Sequence, residues 1–247
     1  SNIVNSQCIT TGPTGAKFDV NAEHCNFNDI SMTLGNGEHC GTCISSISPA
    51  GVNFKISEST FINVEAIGGS GGAIYAFAHS TDITNSKFIN CTASGQDGVN
   101  TYGGAIYLLA DEITTDESLY GCTFENCAST FSGGALYIYC PDIEGTDTDH
   151  TLRISGCNFT KCRSNVEGGA ICSGQVRIGD EEQKTEGDND FQITNCYFTE
   201  CESAKGGALY FQDGTKTGDE ETRISYCHFT NCYASSGEGY AMSCRSY

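Results

Sequence analysis

Positively charged residues are scarce in this chain. Its 247 residues include 12 Lys or Arg against 31 Asp or Glu, which gives a net charge of −19. Nucleic acids and anionic membrane surfaces bind to basic faces, so neither is expected as a partner. No apolar run approaches the roughly 18 residues that cross a bilayer, and we expect no membrane insertion. The chain starts at Ser1 without Met or a signal peptide, which favours a mature or excised segment.

Proline is also scarce, and helical periodicity is missing. The three prolines leave nearly every backbone N–H available for pairing, and the apolar residues fall in two-step runs that are typical of strands. Cysteine, in contrast, is abundant, with 16 residues. Many thiols are a liability in a reducing cytosol, so this content predicts an extracellular or cell-surface location.

One unit recurs through the whole chain. Each copy contains a Phe, and the Phe column consists of Phe27, Phe61, Phe88, Phe124, Phe159, Phe198 and Phe229. An apolar residue lies five positions before each Phe, namely Ala22, Ile56, Ile83, Leu119, Ile154, Ile193 and Ile224. A second element, Gly-Gly-Ala-[Ile/Leu] or its variant, starts at Gly41, Gly71, Gly103, Gly133, Gly168, Gly206 and Gly239. Seven units in one register identify a repeat protein.

The units predict a solenoid. No unit could bury its own Phe, whereas stacked units cover one another and build a continuous core. Three strand-like pieces per unit predict an all-β, right-handed parallel β-helix (β-solenoid) of about seven coils, reinforced by disulfides. We expect one domain over residues 1–247, in which 1–21 is an N-terminal segment that serves as a joint or cap and 22–247 form the coils. A β-sandwich, the rival fold, would contain about seven dissimilar strands.

A tyrosine ladder follows from the Gly-Gly-Ala element. Alternation along this strand places its Ile or Leu residues on one face and its tyrosines on the other. The tyrosines concerned are Tyr75, Tyr107, Tyr137 and Tyr210, with Cys172 in the same column. If the Ile and Leu residues face the core, the ladder either forms an exposed binding face or is covered by loops.

The repeat resembles that of a known family. Gly-Gly-Ala-[Ile/Leu] alternating with Phe-x-x-Asn is similar to the repeat pair of the chlamydial polymorphic membrane proteins and of similar microbial surface proteins. Phe61-Ile-Asn63 and Phe88-Ile-Asn90 fit this pair loosely, and Cys127 occupies a position where the family usually has Asn. The resemblance covers nearly the whole chain and implies a surface-exposed, adhesin-like β-helix. The dense Cys pattern departs from the family.

The cysteines occupy two repeat columns. One, two residues before Phe, holds Cys122, Cys157, Cys196 and Cys227, and the other, three residues after Phe, holds Cys127, Cys162, Cys201 and Cys232. The favoured interpretation is a disulfide within each coil, which pairs Cys122 with Cys127 and so on along the chain. Disulfides between stacked neighbours are the second interpretation, because strands about 4.8 Å apart satisfy the Cα distance of a disulfide. Reduced thiols that fill the core are the third.

Few residues suggest binding or catalysis. Acidic links within 111–117, 142–149, 180–190 and 213–221 predict a solvated acidic edge, and calcium binding or a catalytic carboxylate pair are weaker interpretations of them. The spacing Cys40-Gly-Thr-Cys43 beside His39 lacks the second pair that a zinc site needs. We therefore predict no enzyme, no catalytic residues and no required cofactor. Two glycosylation sequons begin at Asn158 and Asn90, and alternation points Asn158 outward.

These observations favour an extracellular structural or adhesive scaffold. The ends of a solenoid are raw sheet edges, so end-to-end pairing with copies of itself into a filament, or an adhesin rod, is the expected arrangement. Glycans or host and cell-surface proteins are the other expected partners. A carbohydrate-binding or polysaccharide-cleaving β-helix is the alternative function.

Overall fold

The chain folds into three parallel sheets that wrap one core. A computed structural model describes residues 2–4, 9–11, 18–34, 41–46, 52–78, 80–96, 98–110, 118–139, 150–173, 189–212 and 222–245. These residues contain strands, turns and bends but no helix. Every strand pair is parallel, and successive coils supply successive strands of each sheet. The predicted all-β parallel solenoid is therefore confirmed.

Each coil visits the three sheets in the same order. Sheet I has seven strands, β3 (Phe18–Glu23), β6 (Val52–Ser57), β9 (Ser80–Thr84), β12 (Ser118–Tyr120), β16 (His150–Ser155), β20 (Asn189–Thr194) and β24 (Thr222–Ser225). Sheet II has 12, β1 (Asn2–Val4), β4 (Asn26–Thr33), β7 (Thr60–Ile67), β10 (Lys87–Ser94), β13 (Thr123–Glu125), β14 (Ala128–Ser129), β17 (Asn158–Thr160), β18 (Arg163–Ser164), β21 (Tyr197–Thr199), β22 (Glu202–Lys205), β25 (His228–Thr230) and β26 (Tyr233–Glu238). Sheet III has eight, β2 (Ile9–Thr11), β5 (Ile44–Ser46), β8 (Ile74–Ala78), β11 (Ile106–Ala110), β15 (Leu136–Tyr139), β19 (Ile171–Ser173), β23 (Leu209–Gln212) and β27 (Met242–Arg245).

The coil count differs slightly from the prediction. Five successive coils carry the complete Gly-Gly-Ala corner. The coils at either end depart from it, because Gly41 has no positive φ and Gly239 is followed by Tyr240 instead of a second glycine. In the N-terminal segment 1–21, β1 and β2 add an incomplete level that pairs with β4 and β5. The regular solenoid is thus shorter than the sequence repeat implies.

The core is a set of aligned side-chain columns. The seven phenylalanines stack face to face with ring centroids 4.7–4.9 Å apart, which is the spacing of neighbouring strands. The apolar column of sheet I and the Ile/Leu column of sheet III line the same interior, and their members are buried from Ala22 to Leu209. Strand register therefore brings identical repeat positions into contact, as the sequence alignment predicted.

Two left-handed residues per coil turn the chain around the Phe strand. The first precedes the Ser or Cys column, as at Asn85 and Asn195, and the second lies two residues after Phe, as at Asn63 and Asn126. Asn tolerates positive φ better than most residues because its short side chain bonds locally. In the second column Asn90 also donates a hydrogen bond to the side chain of Asn63, at 2.8 Å. The Asn of the repeat is therefore a turn residue.

The two glycines of each corner are required for different reasons. The first, such as Gly133 with φ of 68°, adopts the left-handed conformation. The second has no positive φ, but a Cβ at Gly134 would lie 2.0 Å from the carbonyl oxygen of Gly169 in the next coil. Neighbouring coils therefore approach each other closely enough at this corner to exclude any side chain.

Candidate functional site

The tyrosine ladder does not form an exposed binding face. Tyr75, Tyr107, Tyr137 and Tyr210 are 1–6% exposed and form a second apolar cluster with Cys172. Tyr102 packs against this cluster, with its ring centroid 4.6 Å from that of Tyr137. Burial raises the pKa of Tyr107 and of Tyr137. The predicted binding surface is therefore wrong, and the ladder is part of the packing of sheet III.

The predicted disulfides within coils are absent. No disulfide joins two of the residues that the structure describes. In the fourth coil, for example, the extended strand β13 separates Cys122 from Cys127. Five residue steps at about 3.3 Å each place their Cα atoms well beyond the ~7 Å limit for a disulfide. The same geometry separates Cys157 from Cys162, Cys196 from Cys201, and Cys227 from Cys232.

The cysteines before Phe act as internal hydrogen-bonding residues. The Cys122 thiol donates to the carbonyl oxygens of Ile83, at 3.3 Å, and Tyr120, at 3.5 Å. The hydroxyl of Ser59 makes the same two bonds in the second coil, to Ala22 and Ser57. This column, which we call the Ser/Cys column, consists of Cys25, Ser59, Ser86, Cys122, Cys157, Cys196 and Cys227.

Members of the Ser/Cys column also accept hydrogen bonds from the coil before. The backbone N–H of Ser59 donates to the Ser86 hydroxyl at 3.1 Å, and that of Cys122 donates to the Cys157 sulfur at 3.4 Å. Hydrogen bonding to Cys122 raises the pKa of Cys157 to about 12. Each side chain thus satisfies backbone groups that would otherwise be buried without partners.

The cysteines after Phe occupy an apolar column. Its members are Ile30, Val64, Cys91, Cys127, Cys162, Cys201 and Cys232, which we call the Val/Cys column. The thiols also donate to carbonyl oxygens of the preceding coil, at 3.4 Å from Cys127 to Phe88 and 3.7 Å from Cys162 to Phe124, but Val64 fills the same place without any such bond. Burial raises the pKa of Cys91 and of Cys162. Here the thiol fills space, as in the third interpretation from sequence.

The two columns should respond oppositely to the same pair of substitutions. Cys122→Ser is expected to change the free energy of unfolding by less than about 1 kcal/mol, since a hydroxyl can make the bonds seen at Ser59. Cys122→Val would leave the backbone N–H of Ser86 without the Cys122 sulfur as its acceptor and should cost about 1–3 kcal/mol. In the Val/Cys column, Cys127→Val should be tolerated, as at Val64. Cys127→Ser should cost about 1–3 kcal/mol, even with the Phe88 carbonyl oxygen as an acceptor, because a hydroxyl is smaller than a thiol and costs more to bury among the Ile, Val and Cys side chains of this column.

Urea unfolding of the four single variants, followed by circular dichroism, measures these differences. The comparison is internally controlled because each substitution is made in both columns. Equal losses for Ser at positions 122 and 127 would show that the columns are not chemically distinct.

Several other predicted residues lie outside the part of the chain that the structure describes. These are His39, Cys40 and the acidic links within 111–117, 142–149, 180–188 and 213–221, so the calcium interpretation is not tested. Within the described ranges, no group of three or more His, Cys, Asp or Glu side chains could hold a metal ion. The same ranges contain no helix that is long and apolar enough to cross a membrane.

The sequon asparagines occupy different surroundings. Asn158 is exposed in the outward column of strand β17, between Thr123 and Tyr197 of the adjacent coils. Asn90 is also exposed, but its side-chain amide donates to Asn63. Asn158 is therefore the more accessible acceptor for a glycan.

The outer surface of sheet II is polar along most of its length. Ion pairs join neighbouring coils there, including Arg163 with Glu202 at 3.5 Å and Lys205 with Glu238 at 3.6 Å. Thr, Lys and Asn side chains fill the outward column between Asn26 and Asn158. Such a face is suited to remain in water rather than to bind an apolar partner.

The last coil has a different surface. Tyr226 is 82% exposed, Tyr240 61%, Tyr233 48% and Met242 42%. The rings of Tyr233 and Tyr240 lie 5.8 Å apart at an angle of 47°. We call these four residues the terminal aromatic surface. The repeat alignment alone does not single them out, because it matches positions by similarity and treats Gly239-Tyr-Ala-Met as a degenerate copy of the corner.

Comparison with protein-family models, curated proteins and solved structures finds no match to this chain. Its function is therefore inferred from its own geometry.

Proposed function

We propose that this chain is a structural and adhesive scaffold, a rigid β-solenoid whose terminal aromatic surface contacts a partner. One observation carries the proposal: of the six exposed large apolar side chains among the described residues, four belong to the last coil. Exposed apolar patches on otherwise polar proteins mark interaction sites. The stacked core supplies stiffness, since each coil is held by its neighbours through sheets and aromatic columns.

The exposed tyrosines are not a simple consequence of an open edge. Side chains at an unpaired sheet edge are exposed whatever their type, and they need not be aromatic. Tyr226 follows Asn195 in its column, Tyr233 follows Glu202, and Tyr240 occupies a glycine column. The last coil thus replaces polar or small residues by tyrosine at three separate places, which supports a role in contact.

We propose an extracellular or cell-surface location on two grounds. The first is the resemblance of the repeat to surface proteins, and the second is the exposed sequon at Asn158. The cysteine content supports this location less strongly than the sequence suggests, because the column thiols have internal structural roles. Within this setting the partner is a protein surface or a glycan.

A glycan is favoured as the partner by the pair Tyr233 and Tyr240. Tyrosine has an apolar ring face and a polar hydroxyl, which suits ligands such as sugars that combine apolar C–H faces with hydroxyl groups. The two rings are accessible and inclined to each other, so a sugar could lie across both. Binding without cleavage is the form of the carbohydrate function that the described residues support.

A double variant tests the proposed contact surface. Tyr226→Asn with Tyr233→Glu introduces the residues that the sixth coil holds in these columns, so the fold should be retained. Fluorescently labelled protein is applied to a printed glycan array and to immobilised extracellular-matrix proteins. We expect the double variant to bind at least about tenfold more weakly than the unaltered chain, because about 1.4 kcal/mol of contact energy is lost.

The matched control removes exposed tyrosines elsewhere. Tyr120→Ser takes the residue of the neighbouring coil, and Tyr197→Thr takes the residue that the fourth coil holds in the same column. The two tyrosine side chains are 55% and 52% exposed. Binding should be unchanged in this control. An equal loss in both variants, or no binding by the unaltered chain to any glycan or protein tested, would refute the adhesive role.

A further inference from the structure

The second glycine of each Gly-Gly-Ala corner leaves the space that the next coil occupies. A Cβ at Gly72 would lie 2.0 Å from the carbonyl oxygen of Gly104, and a Cβ at Gly169 would lie 2.1 Å from that of Gly207. The same Cβ atoms would lie 2.5–2.7 Å from backbone atoms of the next strand in sheet II, such as Glu202. Backbone atoms cannot move aside as a flexible side chain can. Close stacking at this corner therefore requires glycine.

In the last coil a tyrosine occupies this position. Gly239 has φ of 61°, like Gly206 with 58°, so the corner keeps its usual shape. The register also continues, since the N–H of Ala208 donates to the carbonyl oxygen of Ala241 at 2.8 Å. The Cβ of Tyr240 consequently points to where the corner of a further coil would lie.

The first coil shows what a side chain at this position requires. Thr42 occupies the same column and does have a coil stacked on it, with its hydroxyl donating to the carbonyl oxygen of Glu65 at 2.9 Å. However, the preceding Gly41 does not adopt a positive φ, so this corner has a different backbone conformation. The corner of Gly239 and Tyr240 instead keeps the positive φ of the Gly-Gly-Ala corners.

We propose that Tyr240 is a stop residue, which prevents another coil of this repeat from stacking in register on the last coil. The partner it excludes is a second copy of this chain. Strands β24, β25, β26 and β27 each pair on one side only within the described residues. Such edges are templates for further pairing, and proteins obstruct them to avoid uncontrolled association.

This inference revises the filament prediction. In-register growth from the last coil is obstructed at the corner of sheets II and III, although the backbone edges themselves are complementary to more strands. The terminal aromatic surface is then left available for a different partner. The stop does not depend on the adhesive role, because it follows from the space around one Cβ atom.

Two substitutions at the same position test the stop. Tyr240→Gly restores the corner of the other coils, and Tyr240→Ala removes the ring but keeps the Cβ. Sedimentation velocity over a hundredfold concentration range measures self-association. We expect Tyr240→Gly to associate at least tenfold more tightly than the unaltered chain, and Tyr240→Ala to behave like the unaltered chain.

Tyr226→Gly is the matched control, since it removes a more exposed ring from the same end without opening the corner. Its φ of 54° also suits glycine, so the fold should be kept. Circular dichroism verifies that each variant is folded, and hydrogen exchange shows whether the N–H groups of β26 become protected on association. Equal association by the Gly and Ala variants at position 240, or no gain in either while both are folded, would overturn the proposal.

Discussion

Replacing Gly134 by alanine is expected to unfold the central coils. The added methyl carbon would lie 2.0 Å from the carbonyl oxygen of Gly169 and 2.5 Å from the backbone of Arg163. Both neighbours are backbone atoms held in sheets or corners on either side, so the clash can be relieved only by separating two coils. We expect a loss of more than about 4 kcal/mol in the free energy of unfolding, which is exceptional for one methyl group.

The expected loss at Gly134 comes from a steric clash and not from backbone strain. Gly134 has no positive φ, so alanine is compatible with its backbone conformation, and only space excludes it. Gly156 provides the reverse case, because its φ is 62° while the nearest atom to an added Cβ is 3.8 Å away. Asparagine occupies this column at Asn85 and Asn195, so Gly156→Asn should change stability by less than about 1 kcal/mol.

Thermal and urea unfolding of Gly134→Ala and Gly156→Asn show whether glycine is required at each position for lack of space around a Cβ or for its freedom to adopt a positive φ. If alanine at position 134 costs no more than about 1 kcal/mol, the close approach of neighbouring corners is not a requirement of the fold. The stop proposed for Tyr240 would then also lose its physical basis, since it depends on the same distance.

The solenoid itself could be predicted because the sequence features that specify it recur once per coil. Columns such as Phe88 and Phe124 are visible as aligned letters, and parallel stacking follows once no unit can bury its own Phe. Strand register needs no further input, since identical residues meet when the coils are in phase. The number of regular coils could not be predicted in this way, because Gly41 matches the repeat in letters but lacks the positive φ of the Gly-Gly-Ala corners.

The roles of cysteine and tyrosine could not be predicted in the same way. Column membership shows that Cys122 and Ser59 are equivalent, which already indicates hydrogen bonding, but none of the three interpretations of the cysteines from sequence includes that role. Alternation placed Tyr107 on the outer face of sheet III correctly, yet burial of that face depends on what packs there, such as Tyr102. Alternation along a strand determines on which face of the sheet a side chain lies. Its exposure depends on which other residues pack against that face.

The terminal aromatic surface was missed for a related reason. Alignment by similarity treats Tyr240 as a poor copy of glycine, although the difference is the informative feature. A search for the positions where the last coil breaks the columns, especially by gaining size at a glycine, would have identified Tyr226, Tyr233 and Tyr240 from sequence.

Truncating the phenylalanine column should cost different amounts at its middle and at its end. Phe124 is fully buried, with its ring centroid 4.9 Å from that of Phe88 and 4.8 Å from that of Phe159. Phe124→Ala removes stacking on both sides and leaves a cavity between coils that cannot collapse without breaking register. We expect the free energy of unfolding to fall by about 3–5 kcal/mol.

Phe229 is the internal comparison, because it is only partly buried and stacks on Phe198 alone among the described rings, at 4.9 Å. Phe229→Ala should cost about 1–2 kcal/mol, in proportion to the smaller apolar area that is buried. Hydrogen exchange should show that this variant loses protection mainly in β24 to β27, whereas Phe124→Ala loses it through the coils on both sides. Equal losses at the two positions would mean that the coils unfold as one unit, and that the last coil is as firmly held as the fourth.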